Sequence, residues 1–279
     1  MQSGQPSRTA RAAAVHRAVH QVLDKGRIFA DPLALRILGE DAEALVRDAG
    51  QNPYRRAMRL FIAVRTRFAE DALTQAVAHG VRQLVVLGAG LDTYAYRGAM
   101  RDRLRIFEVD HPATQAWKRQ RLAEADIPLP RTLTFAPVDF ERETLGEGLA
   151  GAGFDPAQRS FFTWLGVVPY LTEEAALATL RFIGRLRGGA QVVFDYCNPP
   201  ESLSGEMRAV HDARATHVAG IGEAWVSYFE SDALAAELTA MGFTEIEDVG
   251  PPQIATRYFP QRVGSAPAKG GHIVRAGTF

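Results

Sequence analysis

The residues of this chain best placed to do chemistry lie where apolar runs stop. In LVVLGAGLDTYAYRG, residues 84–98, an apolar run enters a turn formed by Gly88, Ala89 and Gly90, with Asp92 and Thr93 just beyond. Such a turn, leading from a strand into a helix, brings backbone amides up to a nucleotide. The dinucleotide fingerprint asks for a third glycine three residues after the second; Thr93 stands there, preceded by Asp92. A carboxylate at a helix N-terminus repels a phosphate and welcomes a cation. No Gly-Lys-Ser/Thr motif follows, which excludes a phosphate-loop NTPase at the level of motif. The turn therefore suits a nucleoside without phosphates.

Two further run ends agree. LRIFEV, residues 104–109, closes on Glu108, Asp110 and His111, with Asp110 twenty residues after Gly90. An acidic side chain at that distance accepts hydrogen bonds from ribose hydroxyls. APVDFE then places Asp139 and the backbone at Phe140 to meet an adenine edge. S-adenosyl-L-methionine, with a ribose, an adenine, an amino-acid tail and no phosphate, fits all three.

Positioning these groups requires strands and helices in alternation. Strands are predicted at 83–87, 104–109, 132–138, 160–165, 190–196, 243–247 and 272–276, with helices near 93–101, 113–125, 173–186 and 230–241. That order predicts an α/β fold with a mostly parallel, doubly wound seven-stranded sheet. The last two strands are joined by a segment rich in Pro and Gly, which predicts an antiparallel hairpin. Upstream, residues 1 to about 8 read as a mobile tail, and 10–23 as a helix capped near Gly26. A short helix is predicted to start at Asp31–Pro32 and run to Gly39, and a long one to run from Met58 through Val77 to Gly80. The expected organisation is an N-terminal tail and helical cap over 1–80 and a Rossmann-like core over 81–279. The stretch 197–229, longer than a connection needs, is the expected lid.

VVLGAGLDTYAYR, FEVDHPATQAWKR, APVDFE and WLGVVPYLT, in that order and spacing, resemble the leucine carboxyl methyltransferase-like class I methyltransferases, including bacterial polyketide carboxyl methyltransferases. The resemblance runs from about Thr9 to Phe259. It implies a Rossmann-like core, an N-terminal helical cap and methyl transfer from S-adenosyl-L-methionine to an oxygen, typically of a carboxylate, in a setting such as secondary metabolism. It also implies that Arg65, and a basic residue of the first helix placed at Arg17, hold the cofactor's carboxylate. Gly88 then lies in the turn, Asp110 at the ribose, and Asp139 with Phe140 at the adenine; Ala89, Gly90, Asp92 and His111 complete the expected cofactor set. Leucine-carboxyl members place a glutamate just before the GV of the fourth-strand motif, where this chain has Leu165. That cofactor contact changes, and a phosphatase C-terminal leucine is not implied as the acceptor.

The acceptor decides the rest of the chemistry. A carboxylate, which ordinarily titrates near about 4, is already ionised and needs no base, whereas a phenol near about 10 needs one. Candidate acceptor-side residues are Tyr170 after the fourth strand, His211 and His217 in the lid segment, and Arg257 with Tyr258 after the last helix. Each has a plainer alternative: core aromatic, solvated lid histidine, surface arginine beside a packed tyrosine. An arginine can clamp a carboxylate bidentately. Competing functions are a hydroxyl O-methyltransferase using a lid His or Tyr as base, a nicotinamide-dependent oxidoreductase, and a binding module that has lost its chemistry.

Composition narrows the partners. Lys plus Arg and Asp plus Glu both total 32, so no net positive field recruits nucleic acid or an anionic membrane. A small-molecule or peptide acceptor is expected. The single cysteine, Cys197, allows no internal disulfide, and no Cys/His spacing suggests a metal site. With no apolar run of membrane-spanning length and no signal-peptide core, a cytoplasmic location is expected.

Overall fold

The computed structural model describes residues 7–39, 41–51, 55–140, 142–220 and 222–279, so residues 1–6 of the expected tail lie outside the described residues. Two compact units emerge from the backbone, one ending at Phe154 and one beginning at Asp155.

In the first unit, α1 (Arg8–Leu23) starts where the Ser7 side chain accepts the Ala10 amide at 3.1 Å. It stops at Gly26, which adopts φ +60° and returns its amide to the His20 carbonyl. Small buried residues, Ala14 and Ala18, let α1 pack closely on α2 (Ala42–Gln51) and α3 (Arg55–Ala78). The helix expected after Asp31 is instead a run of turns ending in a 3-10 segment, Arg36–Leu38. Ala34, Ile37 and Leu38 are all buried, and the tight turns tuck them in before Gly39 ends the segment at φ +84°. Helix α2, not anticipated, follows.

The strands β1 (Gln83–Leu87), β2 (Arg105–Asp110) and β3 (Leu133–Pro137) are parallel, with Val86 opposite Glu108 and Glu108 opposite Phe135. Every residue of β1 is buried, the mark of a strand covered on both faces. Between the strands lie α4 (Tyr94–Arg97) and α5 (Pro112–Glu124). Helix α4 is much shorter than the predicted 93–101 because Gly98 lies against the Tyr94 ring, where a Cβ would come within 2.5 Å of it. After β3, the unanticipated α6 (Leu145–Gly151) opens on a Thr144–Glu147 capping box, a spacing legible in the sequence.

In the second unit, β4 (Ser160–Trp164) pairs in parallel with β5 (Ala190–Cys197), joined by α7 (Glu173–Gly184). The segment after β5 holds α8 (Gly205–Gly220), and α9 (Ser231–Ala240) leads to β6 (Glu245–Val249), two residues later than predicted. β7 (Gly271–Gly277) runs antiparallel to both β5 and β6. The link between β6 and β7 is not a plain hairpin, since it carries α10 (Pro251–Tyr258). Proline is well placed in a first helical turn, so the proline-rich opening begins this helix rather than preventing one. The result is an α/β fold with a mixed seven-stranded sheet in the order β3-β2-β1-β4-β5-β7-β6. Among the described residues, no helix is long and apolar enough to cross a membrane.

Candidate functional site

The glycine turn after β1 is held from below by one carboxylate. Asp110, the last residue of β2, accepts the Gly90 amide at 2.6 Å on one oxygen and the His111 amide at 2.7 Å on the other. Burial pushes its pKa up from the ordinary carboxylate range, against the pull of these two amides. Gly90 adopts φ +44°, and a Cβ there would stand 2.9 Å from that of Ala10 on α1. The turn must therefore be glycine both for its conformation and for its closeness to the helical cap. Ala89 donates to the Val109 carbonyl at 3.1 Å, completing the link between the turn and β2. His111 caps α5, its ring Nδ1 accepting the Ala113 amide at 3.2 Å.

The LDTYAYR residues mostly face inward. Asp92 Oδ1 accepts the Tyr94 amide at 2.8 Å, so the protein's own carboxylate occupies the donor at this helix start. Thr93 donates to Asp31 Oδ2 at 2.7 Å, and Arg97 Nε donates to the Thr93 hydroxyl at 2.9 Å. Arg97 also forks onto Glu70, at 2.5 and 3.2 Å, and lies 3.3 Å from Asp31. Arg17 closes the circuit: it donates to the Leu91 carbonyl at 2.5 Å and lies 3.5 Å from Asp31. Asp31 is thus the hub between the helical cap and the turn. Beneath it, buried Glu108 pairs with Lys118 at 2.7 Å and accepts from Tyr96 at 3.3 Å. Burial outweighs Lys118 and lifts the Glu108 pKa to about 7.

Other cofactor-side candidates lie in the same unit. Arg65 is buried on α3, at 8% exposure. Asp139 follows β3 and lies 3.4 Å from Arg142. Phe140 is 58% exposed, more than any other large hydrophobic described as exposed, so packing does not explain it. An exposed ring just beyond a strand's carboxyl end is suited to stacking on a base.

The second unit repeats the bracket. Asp195, near the end of β5, accepts at 2.6 Å the amide of Gly166, which has φ +71° and directly follows Leu165 beyond β4. Asp195 escaped the sequence reading, although an acidic residue inside FDYC, closing an apolar strand, was the signal for it. Leu165 and Tyr170 are partly exposed, the latter in a 3-10 turn. His211 on α8 is buried, with Nδ1 2.9 Å from Asp212 Oδ1 and Nε2 3.0 Å from the Tyr228 hydroxyl. The hydrogen bond from His211 draws the Asp212 pKa down. His217, by contrast, is exposed in the last turn of α8. Arg257 is exposed on α10 and paired with Glu247 at 2.6 Å, whose other oxygen lies 3.3 Å from Arg275; Tyr258 follows it, partly exposed. A closed network also spans β5, β6 and β7: His272 reaches Asp248 at 2.7 Å and Asn198 at 2.9 Å, and Tyr196 donates to Asp248 at 2.6 Å. Neither it nor Tyr228 was anticipated.

An α/β fold with this bracketed glycine turn is the architecture of a class I methyltransferase. The leucine carboxyl methyltransferase family model matches residues 10–184, more than half of the chain, and the chain belongs to that family. Its relatives include the candidate S-adenosyl-L-methionine-dependent methyltransferase YktD of Bacillus subtilis, 32% identical over 202 residues that cover 71% of this chain and 66% of the relative. Relatives named in the same way occur in Frankia alni (35% identity, 57% of each chain) and Streptomyces coelicolor (38% identity, 56% of this chain and 57% of the relative). The chain spans between half and two thirds of the length of these relatives.

Proposed function

We propose that this protein is an S-adenosyl-L-methionine-dependent O-methyltransferase that esterifies a carboxylate of a small molecule or peptide. One observation carries the cofactor class: the Asp92 carboxylate occupies the Tyr94 amide at the start of α4. A pyrophosphate in that place would meet a negative charge. The residues present fit an uncharged ribose and a base, with the buried Asp110 carboxylate at the turn and the exposed Phe140 ring beyond β3. Arg65 and Arg17 are the basic groups assigned to the cofactor's carboxylate, and Arg17 also fixes Leu91 in the turn. When bound, the cofactor supplies a methyl group activated by its sulfonium. The protein's part is to hold donor and acceptor in line and exclude water.

Membership of the carboxyl methyltransferase family supports a carboxylate acceptor and removes the nicotinamide-dependent oxidoreductase from contention. Leu165 in place of the family glutamate leaves the acceptor apart from a phosphatase tail. One feature favours a hydroxyl acceptor instead: the Asp212–His211–Tyr228 chain, in which a histidine oriented by a carboxylate faces a phenol. Such a chain can serve as a base. The two readings differ in their pH–rate profiles under saturating cofactor. A carboxylate acceptor gives a rate flat from about pH 5 upward, because no proton has to be removed. A rate that climbs with pH along a basic limb, and loses that limb in His211→Gln, assigns the enzyme to hydroxyl acceptors.

A further inference from the structure

The first unit holds a cavity of about 340 Å³ at the amino ends of β2 and β3. It is lined by the stretch 128–132 leading into β3, by Arg101 and Asp102 leading into β2, and by Tyr96 of α4. The length of β2, about 17 Å at the usual rise of a parallel strand, lies between this end of the sheet and Asp110 at the glycine turn. The wall at 128–132 is preformed. The amide of buried Ile127 donates to the Leu122 carbonyl at 2.9 Å, the Leu133 amide closes a turn on the Pro130 carbonyl at 3.2 Å, and the Thr132 carbonyl accepts the Ile106 amide of β2 at 2.8 Å. Pro128 and Pro130 fix their own φ, so little of this backbone is left to order when a ligand arrives.

Three groups on the wall lack what a ligand could give. Leu129 is 51% exposed. Arg131 is exposed and has no hydrogen bond or ion pair among the described residues. The Thr132 hydroxyl is buried without a hydrogen-bond partner. The other polar groups are committed: Arg101 donates to the Tyr96 carbonyl and lies 3.6 Å from Asp102, while the Tyr96 hydroxyl donates to Glu108. What is missing is one negative charge to meet Arg131, on a body apolar enough to cover Leu129 and its flanking prolines.

We propose that this cavity is a second ligand site, for a small carboxylate with an aromatic or branched apolar body. Its volume is near the lower end of small-molecule pockets, which run from about 300 to 1,000 Å³, and suits one ring rather than a nucleotide. A carboxylate matches the planar fork of a guanidinium. A dianion such as a phosphate monoester would bring its second charge toward Asp102. The occupant is neither cofactor nor methyl acceptor, since the turn to which the cofactor is assigned lies at the other end of the strands.

The test titrates the full chain, loaded with S-adenosylhomocysteine, calorimetrically with benzoate and isovalerate, and with benzamide and isovaleramide as their neutral counterparts. Arg131→Gln and Asp102→Asn are compared with wild type; both side chains are exposed, so neither variant disturbs the core. Saturable binding of at least one acid is expected, weakened about 5-fold or more in Arg131→Gln and tightened about 2-fold in Asp102→Asn. The amides bind about 5-fold more weakly than the acids and respond to neither variant. Affinity for S-adenosylhomocysteine is the same in all three proteins. No saturable binding of either acid up to about 10 mM overturns the proposal. So does an acid affinity that Arg131→Gln leaves unmoved, which places the acid elsewhere, and so do amides that bind as well as the acids. Loss of S-adenosylhomocysteine affinity along with that of the acid in Arg131→Gln assigns Arg131 to the fold and overturns the site as well.

Discussion

Asp110→Ala is expected to lower affinity for S-adenosyl-L-methionine by about 100-fold or more, the largest effect of any single substitution at the cofactor side. In the proposed cofactor mode the carboxylate accepts from the ribose, and it already holds the amides of Gly90 and His111 at 2.6 and 2.7 Å. Alanine therefore removes a ligand contact and strands two backbone donors, each worth about 1–3 kcal/mol when buried and unmet. The left-handed Gly90 then loses the bond that fixes its amide. Asp110→Asn tests this division of labour: its carbonyl oxygen can keep one amide, so it should fall between wild type and Asp110→Ala. Calorimetric titration with S-adenosylhomocysteine measures both. An Asp110→Ala affinity within about 3-fold of wild type would mean that the bracket does not shape the site.

The second large effect is on stability. Arg97→Met should lower the thermal unfolding midpoint by about 10 °C, because removing one partner of a buried ion-pair network costs about 3–5 kcal/mol. Arg97 has 8% side-chain exposure and serves Glu70, Asp31 and Thr93 together, so its loss leaves the fully buried Asp31 facing only Arg17 among the cations of the described residues. Burial already raises the Glu70 pKa, and without Arg97 the carboxylate has still less to offset it. Lysine should rescue little, since one ammonium cannot reproduce the fork onto Glu70 and the bond to Thr93. Differential scanning calorimetry of the three proteins checks this, and a shift under about 2 °C for Arg97→Met would show that the network adds nothing net.

These two substitutions also show what could be read from the sequence. The glycine turn and the Asp110 carboxylate that holds it were legible because a strand end is a local signal. The pattern of strands came through for the same reason, as apolar runs bounded by turn residues. The network that fixes the turn was not legible. Asp31 read as a helix cap, and in the structure its Oδ1 does accept the Leu33 amide at 3.0 Å, yet its other oxygen holds Thr93, sixty-two residues away. Glu70 lies twenty-seven residues before Arg97 on a long helix, and only the fold turns it toward that arginine. Helix α10 was missed because proline was weighed as a breaker, when at the first turn it is a starter.

Methyl transfer to a carboxylate is tested most directly by the chemical nature of the product. Incubating the protein with methyl-labelled S-adenosyl-L-methionine and carboxylic acids, then treating the product with mild base, separates the possibilities because methyl esters release methanol and methyl ethers do not. A carboxyl methyltransferase should give volatile, base-released label that depends on the acid added. Label that survives base in the product, or that appears only with hydroxyl acceptors, would contradict it.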